Sequence, residues 1–79
     1  MDNNKIGKFI LNMRKEKNLT QKELGDKLFV TDKAVSKWER GVSLPDITML
    51  NKLSKILGVS VNDILDGTKE SNRKIDVNK

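Results

Sequence analysis

The sequence predicts an all-α fold, a compact bundle of five short helices. Three observations lead to this prediction. Apolar residues recur every three or four positions in successive short segments, which is the spacing of one helix face. A residue type that favours a helix start precedes most of these segments, and glycine follows several of them. No stretch of useful length alternates apolar and polar residues, so strands are not expected.

The first helix is expected over about residues 4–17. Either Asn3 or Asn4 is a suitable cap for its start, and Asn18 is a suitable left-handed terminator after its end. Polar residues separate the apolar positions, as one buried face requires. The predicted buried face consists of Ile6, Phe9, Ile10 and Met13.

The second helix is expected over about residues 21–28. Thr20 and Glu23 have the spacing of a capping box, in which the hydroxyl and the carboxylate each accept a backbone hydrogen bond. Leu24 and Leu28 form its buried stripe. Gly25 lies between them, and a glycine there allows the next helix to approach closely. Alternatively, the position merely tolerates glycine, which destabilises a helix by about 1 kcal/mol relative to alanine.

The third helix is expected over about residues 32–40, between a Thr31 cap and Gly41. Because only Phe29 and Val30 separate this segment from the second helix, the two helices must cross steeply, as in a helix-turn-helix. Apolar residues at helical spacing are expected to face the core. They are Ala34, Val35 and Trp38. The residues left facing outward are Asp32, Lys33, Ser36, Lys37 and Arg40.

Two more helices complete the predicted bundle. The fourth ends at Gly58, and Ser60 caps a fifth over about residues 61–66. The apolar positions assigned to the core are Ile47, Leu50, Leu53, Ile56 and Leu57 in the fourth helix, and Ile64 and Leu65 in the fifth. Residues 1–67 are therefore expected to form one domain. Residues 68–79 have no periodic apolar face, which predicts a flexible polar tail.

Composition excludes several functions. The 79 residues include no cysteine and no histidine, which removes Ser-His and Cys-His nucleophiles and nearly all zinc sites. Carboxylate catalysis remains formally possible, but the acids are scattered over helix surfaces with no paired arrangement. We therefore expect no enzyme activity, no metal and no cofactor, and no small-molecule ligand is evident. The net charge of +5 favours a polyanionic partner. No apolar run is long enough to span a bilayer and no signal peptide is evident, so a soluble, cytoplasmic protein is expected.

The order of motifs resembles the Cro and phage-repressor (Xre-type) helix-turn-helix family. The resemblance runs from about Ile6 to Leu65 without gaps. It consists of an arginine ending the first helix (Arg14), LTQKELGDKL, a threonine cap, AVSKWERG, LPDI and LGVSVNDIL. It implies a lambda-repressor-like fold and a transcriptional regulator, a repressor, that binds double-stranded DNA. It also implies a palindromic operator occupied by a homodimer.

The resemblance also assigns roles to individual residues. The residues it implies for reading bases are Asp32, Lys33, Ser36 and Lys37, and those for the DNA backbone are Gln21, Thr31, Arg40 and Ser43. Asp32 has two equally weighted roles, accepting from cytosine N4 or supporting the helix dipole. Arg14 and Glu39 correspond to a structural ion pair. Trp38 takes the place of an aliphatic core residue, and Phe29 replaces a glycine that is frequent in the turn.

Two other functions compete with DNA binding. The same fold serves as an antitoxin-like or antirepressor module whose third helix binds a protein. A membrane-surface helix is the least favoured alternative, because the third helix carries acids among its bases and needs its apolar residues for the core. Lys33 and Lys37, one turn apart, also fit a solvated helix face by spacing alone. The surrounding motif and the nearby Arg40 favour DNA.

Overall fold

The computed structural model describes residues 2–69, and these residues form the five predicted helices. Their bounds are Asn3–Glu16 (α1), Gln21–Leu28 (α2), Asp32–Glu39 (α3), Ile47–Leu57 (α4) and Val61–Asp66 (α5). Strands are absent from this part of the chain. The prediction of a flexible tail falls mostly on residues 70–79, which lie outside the described residues.

Each helix begins after a side chain that accepts a hydrogen bond from a backbone N–H of its first turn. The predicted caps Thr20, Thr31 and Ser60 do so, and the capping box of Thr20 and Glu23 is complete. The predicted cap of α1 is wrong. Asp2, not Asn3 or Asn4, accepts from the N–H groups of Asn4 and Lys5 at 3.0 and 3.2 Å. A carboxylate interacts more favourably than an amide with the positive end of the helix, and α1 starts one residue earlier than predicted.

The ends of α1 and α3 each lie one residue before the predicted position. Asn18 has a φ of 59°, as predicted for a left-handed terminator, although α1 ends at Glu16, one residue before the predicted end. Helix α3 ends at Glu39 instead of residue 40, because Arg40 caps it and the chain then turns at Gly41. Helix α3 is therefore eight residues long.

The core lies between the inner faces of all five helices. Its fully buried side chains include Ile6, Ile10, Leu24, Leu28, Val35, Leu53 and Ile64. Trp38 is only 6% exposed, which confirms the prediction that it is a core residue. Ile56 and Leu65 are partly buried against this core. Ile47 was assigned to the same face, but its side chain is 65% exposed. It is the first residue of α4, one turn before Leu50, where the helix face has not yet reached the core.

Two glycines allow backbones to touch. A β-carbon on Gly25 would lie 2.8 Å from the carbonyl oxygen of Val30, which confirms the predicted close approach. The neighbouring atoms belong to the turn and to Thr31 at the cap of α3. Gly7, which the sequence analysis did not single out, brings α1 against the end of α3. A β-carbon there would lie 2.7 Å from the carbonyl oxygen of Glu39, so these two helices pack with no side chain between them.

Candidate nucleic-acid interface

Helices α2 and α3 are joined by a tight turn of defined geometry. The N–H of Val30 donates to the carbonyl of Gly25 at 2.9 Å, which closes the end of α2. The Thr31 hydroxyl then accepts from the N–H of Ala34 at 3.1 Å and starts α3. Capping on both sides of the turn fixes the angle between the helices and therefore the direction in which the outer face of α3 points.

Phe29 adopts the left-handed conformation that glycine usually supplies in such turns. Its φ and ψ are 60° and 39°, and its side chain is 89% exposed. The left-handed region costs a residue with a β-carbon about 1–2 kcal/mol. The Nζ atom of Lys52 lies 6.0 Å from the centre of the ring. The turn thus keeps its geometry despite the bulk of phenylalanine.

The outer face of α3 presents two lysines, one in its first turn and one in its last turn. Lys33 and Lys37 are both exposed, and their spacing places them one above the other on one helix face. Within residues 2–69 neither ammonium group makes an ion pair or hydrogen bond, so both are available to acceptors on a partner. Asp32 is exposed at the first position of α3, where either of its expected roles is sterically possible. Base reading by these side chains stays a prediction.

Ser36 and Arg40 interact with each other across one turn. The Nε of Arg40 donates to the Ser36 hydroxyl at 3.1 Å, a contact that the sequence analysis missed. The i, i+4 spacing was the available signal. This hydrogen bond holds the guanidinium along α3 and leaves its terminal NH2 groups for another acceptor. Ser36 therefore supports a predicted backbone contact in addition to its own predicted role in base reading.

A buried ion pair ties the end of α3 to α1. The Nε of Arg14 lies 2.6 Å from Oε2 of Glu39, and its Nη2 donates to Oε1 at 3.0 Å. Its Nη1 donates to the carbonyl of Leu19 at 2.8 Å. The two side chains are 10% and 3% exposed, respectively. The expected ion pair is therefore present as a bidentate contact between Arg14 of α1 and Glu39, the last residue of α3.

Gln21, predicted to contact the DNA backbone, also binds Glu39. Its Nε2 donates to Oε1 of Glu39 at 2.9 Å, a contact not anticipated from the sequence. One Glu39 carboxylate therefore connects α1, α2 and α3. Because an amide nitrogen carries two hydrogens, Gln21 keeps one donor for a further acceptor. The Arg14 guanidinium offsets the charge of Glu39 beside it, which lowers the repulsion of an approaching phosphate.

The segment after α3 folds back on the end of that helix. The N–H groups of Val42 and Ser43 both donate to the carbonyl of Lys37, at 2.9 and 3.4 Å. This places the half-buried Ser43 near Arg40, with which it was grouped as a backbone contact. Thr31, the remaining member of that group, is exposed at the other end of α3, where its hydroxyl serves as the cap.

The part of the chain described by the structure contains no group of acidic side chains that could hold a metal ion. None of the five helices is long and apolar enough to cross a membrane. The candidate site described above consists of α3, the flanking turn and loop, and the polar network at the start of α2.

The chain matches known proteins along most of its length. A helix-turn-helix family model, HTH_3, matches residues 10–64. The uncharacterised HTH-type transcriptional regulator YqaE of Bacillus subtilis is 44% identical over 62 residues, which are 78% of this chain and 52% of YqaE. The HTH-type transcriptional activator BcrR of Enterococcus faecalis is 40% identical over 55 residues, 70% of this chain and 27% of BcrR. The chain thus spans only about a quarter to a half of these curated relatives.

A solved structure is similar over a larger share of its own length. The P22 c2 repressor, crystallised in complex with a synthetic operator, has a TM-score of 0.76 and 35% sequence identity to this chain. The likeness covers 78% of this chain and 94% of the repressor chain in that structure. The chain therefore belongs to the Cro and phage-repressor (Xre-type) helix-turn-helix family of DNA-binding transcriptional regulators.

Proposed function

We propose that the protein is a repressor that binds a specific double-stranded DNA site with α3 in the major groove. The observation that carries this proposal is the outer face of α3, where Lys33 and Lys37 are exposed and unpaired among the described residues. The likeness to P22 c2, a repressor solved with an operator, supports the same conclusion. Selection of bound sequences from random duplexes tests it, and a palindromic consensus is expected.

Base reading in this proposal comes from the amino end and centre of α3. Lysine donates to O6 and N7 of guanine, and the carboxylate of Asp32 can accept from N4 of cytosine. Ser36 precedes Lys37 by one residue, so its hydroxyl can contact bases in the same groove. The outer face of α3 carries no large apolar side chain. That property argues against the alternative in which α3 docks against a protein.

Backbone contacts come from the residues around α3. Gln21 lies at the first position of α2, and Arg40 at the end of α3, so these two side chains bracket the helix-turn-helix. Phosphate contacts position a protein on DNA without carrying sequence information. The hydroxyls or main-chain N–H groups of Thr31 and Ser43 supply further contacts of the same kind.

Replacing Gln21 or Arg40 by alanine should weaken binding to every duplex alike. For Arg40→Ala we expect the slope of log affinity against log salt concentration to fall by about 1, because one phosphate contact is lost. Gln21 is neutral, so Gln21→Ala should lower affinity without this change in slope. Titrations at several salt concentrations, with Lys8→Ala on α1 as a control, measure both. A changed consensus sequence in either variant would show that its side chain reads bases.

The protein should occupy its operator as a two-fold pair. One short α3 offers few base contacts, and two copies in successive major grooves about 34 Å apart double that number. We propose that the copies meet at the end of α4 and at α5, near Val59, Val61 and Leu65. These three side chains are only partly buried in the monomer, so part of their apolar surface is available to a partner.

Analytical ultracentrifugation with a palindromic duplex measures this stoichiometry. We expect two chains per duplex at saturation. We also expect Val61→Lys, on the proposed interface, to reduce the cooperativity of binding more than it reduces the affinity for a single half-site. One chain per duplex at saturation would refute the symmetric arrangement and would leave the fold assignment intact.

Two further assignments belong to this proposal. We assign residues 1–67 to the DNA-binding domain and residues 68–79 to a tail, because Gly67 ends α5 in a left-handed conformation. Cytoplasmic localisation follows from binding to DNA in the cell. A chain truncated after Gly67 should keep the duplex affinity of the full chain if the assignment of the domain is correct.

A further inference from the structure

An isolated aromatic ring is exposed beside the amino end of α3. Phe29 is 89% exposed, more than any other large apolar side chain among the described residues. It precedes the Thr31 cap by two residues, so their Cα atoms lie within about 7 Å of each other. The backbone of Phe29 therefore lies close to the end of α3 that carries Asp32 and Lys33, both of which belong to the proposed base-reading group.

Neither the backbone nor the core accounts for phenylalanine at this position. The left-handed conformation of residue 29 favours glycine or asparagine. The ring is outside the hydrophobic core, and the ring contact found in the structure is the distant ammonium group of Lys52, 6.0 Å from its centre. An apolar side chain so exposed gains by burial against a partner.

The surroundings of the ring favour DNA over an apolar protein surface as that partner. The other exposed large apolar residues are Val42, Leu44 and Ile47, and all of them follow the far end of α3. Eight helical residues separate them from Phe29, about 12 Å along the helix axis. Near Phe29 in the sequence or in space are the lysines at positions 27, 33 and 52. The positive charges of these lysines favour a polyanionic partner such as DNA.

Major-groove chemistry then identifies the group that the ring contacts. The apolar group that a base pair presents in this groove is the C5-methyl of thymine, and its other edge groups are hydrogen-bond donors or acceptors. We propose that Phe29 is a specificity-determining residue that packs on a thymine methyl next to the bases contacted by α3. This inference rests on the proposed function, and it adds an apolar contact to the polar contacts of Lys33 and Lys37.

The test uses a variant that keeps the fold and removes the ring. Phe29→Gly suits the left-handed conformation, so it should unfold at the same or a higher denaturant concentration than the wild type. On a duplex selected by the wild-type chain, its affinity should fall about fivefold, the effect of losing roughly 40 Å² of apolar burial. Phe29→Asn, which also tolerates this conformation, should show the same loss. Ile47→Ala removes a different exposed apolar side chain and should bind like the wild type.

Thymine-to-deoxyuridine replacement, one position at a time, identifies the methyl group. The wild type should lose affinity at one position in each half-site, and Phe29→Gly should be insensitive to replacement at that position. Equal affinity of wild type and both Phe29 variants would overturn the inference, as would an unchanged response of Phe29→Gly to deoxyuridine. Those results would leave the proposed function standing. If the wild type selected no sequence from random duplexes, the proposed function would fail and this inference with it.

Discussion

Arg14→Met should lower the free energy of unfolding by about 3 kcal/mol, because it leaves the buried Glu39 carboxylate without its cation. The Glu39 side chain is 3% exposed, so water cannot replace the lost interaction. Among residues 2–69, Gln21 would remain its sole side-chain donor. A domain of this size has a total stability of only about 5–15 kcal/mol. Chemical denaturation followed by circular dichroism should therefore show a clearly lower midpoint for this variant.

A second replacement separates the unpaired charge from the loss of packing. Arg14→Met combined with Glu39→Leu removes both charges and keeps apolar volume, so it should recover part of the lost stability. Lys22 and Asp26 provide the matched control. They form an ion pair at 3.5 Å, but their side chains are 77% and 66% exposed. Lys22→Met should therefore change stability by no more than about 0.5 kcal/mol. If Arg14→Met and Lys22→Met lowered the free energy of unfolding equally, burial would not determine how much an ion pair contributes to stability.

The same carboxylate links folding to the proposed DNA contacts. Glu39 is the last residue of α3, and it fixes the amide of Gln21 at the first residue of α2. Loss of Arg14 is therefore expected to disturb the position of Gln21 as well as the stability of the domain. A duplex affinity measured under conditions where Arg14→Met is fully folded would isolate that second effect.

Local signals in the sequence predict most of the helix ends. Thr20, Thr31 and Ser60 each satisfy a backbone N–H within their own helix, so their role depends on neighbouring residues alone. The cap of α1 was misassigned because three consecutive residues, Asp2, Asn3 and Asn4, all favour that position. The preference of a residue type for the cap position does not distinguish these three residues. The choice among them also depends on which residues of α1 face the core.

Contacts between helices were harder to predict. Helical spacing gave the buried face of α4, but it did not indicate how far the core extends along the helix, and Ile47 is consequently exposed. The role of Gly7 depends on where α1 crosses α3, which no local pattern encodes. The hydrogen bond from Gln21 to Glu39 joins residues 18 positions apart and follows from the same crossing geometry. The resemblance supplied the Arg14 and Glu39 pair, but not this third partner.

The exposed face of α3 was predictable because its polar residues recur at helical spacing. Their proposed roles on DNA depend on the position of each side chain along the helix. Lys37 lies in the second half of α3, and its carbonyl anchors the following loop through the N–H groups of Val42 and Ser43. Its backbone is therefore held in place, and its side chain projects from a fixed point. A side chain that projects from a fixed backbone position is suited to reading one base pair.

Lys37→Ala should weaken binding to the selected duplex by about 1–3 kcal/mol and relax the preference at one base pair in each half-site. Lysine donates to O6 and N7 of guanine, so the relaxed position should be a guanine in the wild-type consensus. The truncation leaves the carbonyl of Lys37 in place, and the loop after α3 should keep its hydrogen bonds. Affinities for the consensus duplex and for single-base variants measure the change.

The control for Lys37→Ala is Lys8→Ala, which removes an equal charge from an exposed position on α1. Both variants lower the net charge by one, so a nonspecific electrostatic effect would be similar in the two. Only Lys37→Ala should alter the ranking of single-base variants. If it lowered affinity equally for every sequence, Lys37 would be a phosphate contact. Base reading would then have to come from Asp32, Lys33 and Ser36, toward the amino end of α3.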